Sequence, residues 1–265
     1  MKKTSGWLAL IVILGAGAAY YYWQQGRPPP ASPPMSAAAP SPPAQAPVAV
    51  APAIRHPIET VPATAPPLPA LAQSDAVMRR ELAALFGEHS LATFFYPDQM
   101  IHRIVATIDN LPRRNAPVRV MPVRPVPGAF VTAGAEGSTV IGPGNWARYT
   151  PYVNLAQAVD AKKLVELYVR FYPLFQRAYE ELGFPKGYFN DRLIEAIDDL
   201  LAAPDITGPI KLVQPKVLYE FSDPDLEARS AGQKIMIRMG GDNAAKVKAK
   251  LTEIRRELMA HAVKR

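Results

Sequence analysis

The sequence predicts a mostly α-helical globular domain with a small β-hairpin element, set behind an N-terminal transmembrane helix and a proline-rich linker. Three observations lead there. An uncharged run fills residues 7–23, 15 of the 29 prolines crowd residues 28–69, and from Gln73 onward apolar residues recur at helical spacing.

Residues 1–26 read as a membrane anchor. Lys2 and Lys3 precede the apolar run, which at 17 residues is about the minimum needed to cross ~30 Å of hydrocarbon. Ala16 and Ala18 offer an A-x-A-like cleavage site, so a removable signal peptide is the rival reading. Tyr20, Tyr21, Tyr22 and Trp23 favour the anchor, because they resemble an aromatic belt at a membrane interface and would be an odd start for a mature chain. Two lysines before the run against a lone Arg27 after it place the N-terminus in the cytoplasm. In a bacterium the segment then sits in the inner membrane and the domain in the periplasm.

Residues 27–72 read as a linker with few charges, few aromatics and a proline every third residue or so. Such a stretch favours polyproline II and is expected to stay off the domain. About 45 residues at ~3.1 Å each would reach on the order of 140 Å.

Residues 73–265 carry the composition of a folded domain. Ser74 is placed to cap a helix running to Phe86, with Gly87 as its stop. Met100, Ile101, Ile104, Val105 and Ile108 give a second helix, ended by Pro112. "AFVTAGAEGSTVIG" reads as two short strands around a glycine turn. Thr150 with Pro151 restarts helix, and Asp160 caps a longer one that ends at Gly183 and contains Pro173, where a kink is expected. The stretch from Gly187 to about Ala202 reads as the next helix, followed by one or two strands in "PIKLVQPKVLYEF". "SAGQKIMIRMG" and "DNAAKVKAKLTEIRRELMAH" complete the chain as helices.

The absence of cysteine excludes disulfides, thiolate metal sites and cysteine nucleophiles. His56, His89, His102 and His261 show no metal-ligand spacing, no G-x-S-x-G or phosphate-loop motif occurs, and neither a metal nor a cofactor is expected. The stripe Tyr168, Phe171, Tyr172, Phe175 and Tyr179 has core spacing, with a ligand groove as its alternative. In "GYFNDRLIEAIDDLL" the apolar residues share one half of the helical wheel, while Asp191, Glu195, Asp198 and Asp199 share the other. The plain reading is a solvated face; Asp191 and Glu195 are the weak catalytic candidates, for acid/base work on a cell-wall substrate.

Charge is segregated along the chain. Residues 180–227 hold 11 acidic and 4 basic side chains, whereas 229–265 hold 3 acidic and 10 basic. The two blocks either neutralise each other within one domain or leave a basic surface. In the second case Lys246, Lys248, Lys250, Arg255 and Arg256 on the last helix would face an anionic envelope partner, such as lipid head groups, cell-wall polymer or an acidic protein. "IRMGGDNAAKVKAKL" matches the glycine turn of a DNA-gripping helix-hairpin-helix only loosely, so nucleic acid is the weakest of the partners weighed.

The motifs "ATIDNLP", "RPVPGAF", "NWARYTPYV", "YVRFYPLFQRAYEELGFPKGYFNDRLIEAIDDLLAAP", "GPIKLVQPKVLYEFSDPDLEARSAGQKIMIRMG" and "NAAKVKAKL" resemble a bacterial family of envelope proteins catalogued as domain of unknown function 3014. The resemblance spans roughly residues 74–258. It implies a membrane segment and a proline-rich linker before the domain, and it carries no catalytic residues. The function expected is therefore a membrane-anchored envelope protein with a binding or scaffolding domain in the periplasm, with the cell-wall enzyme as its alternative.

Overall fold

The computed structural model describes residues 53–59, 67–135 and 137–262. The expected anchor at residues 7–23 and most of the expected linker lie outside them. Among the described residues no helix is long and apolar enough to cross a membrane. Ten α-helices and two antiparallel strand pairs make up the described fold.

Helix α1 (Asp75–Phe86) ends at Gly87, as expected, but Gly87 at φ +83° also turns the chain directly into α2 (Glu88–Phe94), which no periodicity announced. Ser74 is not the cap expected of it. Its backbone is already helical, and its hydroxyl donates to the Leu71 carbonyl at 2.7 Å, closing the 3-10 turn Leu71–Gln73. Asp75 instead caps a different helix. Its carboxylate accepts the Gln99 and Met100 amides at 2.7 and 2.9 Å, and so satisfies the start of α3 (Met100–Asn110).

Strands β1 (Thr132–Ala133) and β2 (Val140–Ile141) pair antiparallel, Thr132 opposite Ile141. The short α4 (Gly144–Ala147) and α5 (Thr150–Ala158) follow, the latter with Pro151 in its first turn. Asp160 caps α6 (Ala161–Glu181) as expected, accepting the Lys163 amide at 3.0 Å, and α6 runs without interruption through Pro173.

Beyond α7 (Phe189–Leu201) the chain makes a second hairpin, where the sequence had left open one strand or two. Here β3 (Leu212–Val213) lies antiparallel to β4 (Glu220–Phe221). The two hairpins meet edge to edge. The Ile141 amide donates to the Ile210 carbonyl at 3.0 Å, and the Leu212 amide donates to Thr139 at 2.8 Å.

The last helices are α8 (Pro224–Glu227), α9 (Ala231–Arg238), capped by Ser230, and α10 (Gly241–Ala260). Gly240 separates α9 from α10 at φ +86°. A Cβ there would lie 2.6 Å from the Trp146 ring, so both the conformation and the space require glycine.

Helix α6 is the centre of the packing, because α1, α3, α7 and α10 all lie against it. Its Phe171 and Phe175 join Met78, Leu82, Met100, Val105 and Phe189 in the main core, and the Phe175 and Phe189 rings stack 5.9 Å apart. Of the aromatic stripe, Phe171, Tyr172, Phe175 and Tyr179 are buried and Tyr168 is partly so, which makes it core.

The linker boundary at residue 72 needs correction, because residues 53–59 belong to the fold. Ile58 is 5 % exposed within the main core and forms an antiparallel bridge with Ala262. One buried isoleucine in a proline-rich stretch makes no periodic pattern, so composition concealed it.

Candidate functional site

The acidic face of α7 does more than meet solvent. Asp191 stands in its first turn and accepts the amide of His56 at 2.7 Å and that of Arg55 at 3.0 and 3.2 Å on its two oxygens. On either side of it, the Asn190 amide donates to the His56 carbonyl at 2.8 Å and the Tyr188 hydroxyl accepts the Ile58 amide at 2.9 Å. The Glu59 amide donates to the His261 carbonyl at 3.3 Å. Residues 53–59 therefore form a strap held by the start of α7 and by the end of α10. Asp191 repeats here what Asp75 does at α3, as one carboxylate accepting two successive amides from distant sequence.

Glu195 lies one turn further along α7, half exposed, with Arg192 Nη1 at 2.8 Å. Arg192 in turn bridges to the buried Asp109. Its Nε stands 3.2 Å from Asp109 Oδ1, and its Nη2 donates to the Asp109 carbonyl. Arg113 holds the other carboxylate oxygen of Asp109 at 2.8 Å. These groups line a depression of about 440 Å³ that Tyr179, Phe184 and Tyr188 also border. Asp191 and Glu195 share one helix face of it and do not oppose each other across a cleft. Each already has a partner, Asp191 in the strap amides and Glu195 in Arg192.

The remaining two carboxylates of α7 also make contacts. Asp198 receives Arg255, with Nε at 2.6 Å, and this hydrogen bond raises the arginine's pKa further. Asp199 accepts the Ser230 hydroxyl at 2.6 Å and the Gln233 side-chain amide at 3.0 Å. Sequence reasoning did not foresee this junction of α7 with α9, although the capping position of Ser230 was a usable signal.

Four of the five α10 cations meet a carboxylate: Lys248 meets Asp205 at 2.6 Å, Lys250 meets Glu253 at 2.6 Å, Arg255 meets Asp198, and Arg256 meets Glu257 at 3.1 Å. Lys246 meets none among the described residues and borders a hollow beside Trp146 and Gly240. Between the acidic and basic blocks run Asp198–Arg255, Asp205–Lys248 and Glu227–Lys234, the last at 2.8 Å and mostly out of water. Burial alone would push Glu227 up, but Lys234, the Phe221 amide and Arg238 together hold its carboxyl below the ordinary value. These three pairs join the two charge blocks inside one domain.

Burial raises the Tyr168 and Tyr172 hydroxyls well above their ordinary range, with Tyr188 adding to the effect in both. Both therefore stay neutral donors: Tyr168 donates to Asn190 at 3.1 Å, and Tyr172 to Gln176 at 3.1 Å. His102 lies at the surface, 3.4 Å from Glu181. Among the described residues no group of three or more histidine and carboxylate side chains could hold a metal ion.

A family model described as protein of unknown function, DUF3014, matches residues 100–255. The chain belongs to this family. The matched span of this DUF3014 member covers α3 to most of α10, and leaves the strap, α1 and α2 outside it. No curated protein and no solved structure matches the chain.

Proposed function

We propose that this DUF3014 protein is anchored in the bacterial inner membrane through residues 7–23 and presents a periplasmic domain that binds or scaffolds another envelope component. The anchoring half rests on the sequence, namely the uncharged run, its aromatic end and the two lysines before it. The binding half rests on one observation. Polar groups expected to do chemistry are engaged in holding the fold, whereas Val217 and Leu218 on the β3–β4 tip stand 84 % and 76 % exposed beside Lys216. Two adjacent, largely exposed aliphatic side chains at a hairpin tip give the fold little, and they suit contact with a partner. The basic α10 surface is the weaker place for that contact, since its charges are largely met within the domain.

The test has two stages. A periplasm-active reporter fused after Arg265 is expected to work, with the protein staying in the membrane pellet after a high-salt wash. Activity of a cytoplasm-only reporter would end the anchoring reading. In the second stage, V217D/L218D is expected to leave melting unchanged and to remove the protein's co-purifying envelope partners. Retention of all of them would take the binding surface away from the tip.

A further inference from the structure

Among the described residues, α1, α3, α6, α7 and α10 surround a hollow of about 230 Å³. Fourteen side chains line it. Thirteen are aliphatic, thioether or phenyl groups, and the hydroxyl of the fourteenth, Tyr168, is already given to Asn190. Met78 on α1 and Leu258 on α10 are fully buried, whereas Ile104, Leu193, Leu251 and Ile254, from α3, α7 and α10, are only partly so. The hollow therefore reaches the surface where these three helices contribute their partly exposed side chains.

Protein interiors close down to voids of about a water molecule, because lining atoms without neighbours lose their dispersion contacts. This hollow is about half again as large as an engineered apolar void of ~150 Å³ that stays dry and takes up benzene or xenon. Its wall offers no free donor or acceptor, so a polar occupant would bury groups without partners. A hydrocarbon chain would not. At roughly 30 Å³ for a group the size of water, about eight such groups fit. We propose that the hollow is a binding site for a saturated alkyl chain of about eight carbons or the end of a longer one, with any polar head left outside. This site is independent of the hairpin tip and of the anchor.

The cysteine-free chain makes the proposal testable by thiol protection. Leu193→Cys would be placed in the full-length protein, held in an amphipathic polymer so that no detergent tail competes. Its alkylation by N-ethylmaleimide is then followed with and without decane or decanoic acid. Both probes are expected to slow the reaction at least tenfold and to leave Met259→Cys, on the exposed side of α10, unchanged. A second substitution, Ile104→Trp, should fill the space and abolish the protection while keeping a cooperative melt. Should Leu193→Cys not fold, Leu251→Cys serves in its place. An unchanged rate overturns the proposal, and so does protection that survives Ile104→Trp. Protection by decanoic acid alone overturns it too, by placing recognition on the head group. A thiol that is slow from the start and is freed by deleting residues 7–23 would make the chain's own apolar run the occupant and likewise overturn it.

Discussion

Asp191 shows how a side chain that resembles an acid/base catalyst comes to serve packing. A carboxylate accepting two backbone amides makes charge-assisted bonds, which are stronger than neutral ones and contribute about 1.5–3 kcal/mol apiece when intact. Asp191→Ala is therefore expected to lower stability by ~2–3 kcal/mol and to release the strap. Limited trypsin digestion reads this directly, because Arg55 lies inside the strap with its amide on Asp191. Cleavage after Arg55 should quicken severalfold in the variant, and equal rates in the two proteins would show that the carboxylate does not hold the strap. The sequence displayed the amphipathic wheel on which Asp191 sits, since that depends on periodicity alone. It could not display the partner, because the amides it holds lie 135 and 136 residues away in a stretch whose composition argues against order.

Helices were legible to the extent that their apolar positions repeat. Periodicity revealed α3, α6, α7 and α10, whereas α2 has seven residues and a single buried one, Leu91, too few for a pattern. Even in α10 the pattern did not rank its members. The seam of Val247, Leu251, Ile254 and Leu258 predicts four equivalent core residues, but Leu258 is 2 % exposed and the other three are only partly buried. All three of Leu251, Ile254 and Leu258 line the apolar hollow, but Leu251 and Ile254 stand on its partly exposed side and Leu258 on its buried one. Leu258→Ala should cost ~2–5 kcal/mol, as buried leucine truncations do, and Leu251→Ala clearly less. Chemical denaturation of the two variants decides it, and an equal loss would mean that the hollow is filled in the native protein.

Across the whole molecule the opposed charge blocks act as internal contacts, and that predicts a pH response. Glu227 has its carboxyl held below 4.5 in the fold, while the unfolded chain releases its proton near that ordinary value. Between the two values the unfolded state binds more protons, so stability rises with pH there. The contribution is complete above about pH 5 and is lost as the pH falls through the folded value. Melting temperature should therefore hold from pH 7 to 5 and decline below 4.5, and Glu227→Gln should flatten that part of the decline. A variant whose acid limb superimposes on the parent's would show that the pair with Lys234 is energetically silent. Block composition was visible in the sequence, but which acid meets which base follows from packing: Asp198 finds Arg255 because α10 lies against α7, and Glu227 finds Lys234 because α8 turns back onto α9.

The bridge between Ile58 and Ala262 has a further consequence, for topology. The first and last described segments of the fold meet at one seam, so the order of its elements is nearly a closed ring, and the place where the ring is cut is a matter of genetics. A circular permutant that links the two ends and opens the chain among residues 214–217, at the exposed β3–β4 tip, should keep the same packing. A module built this way can be inserted whole into a loop of another protein.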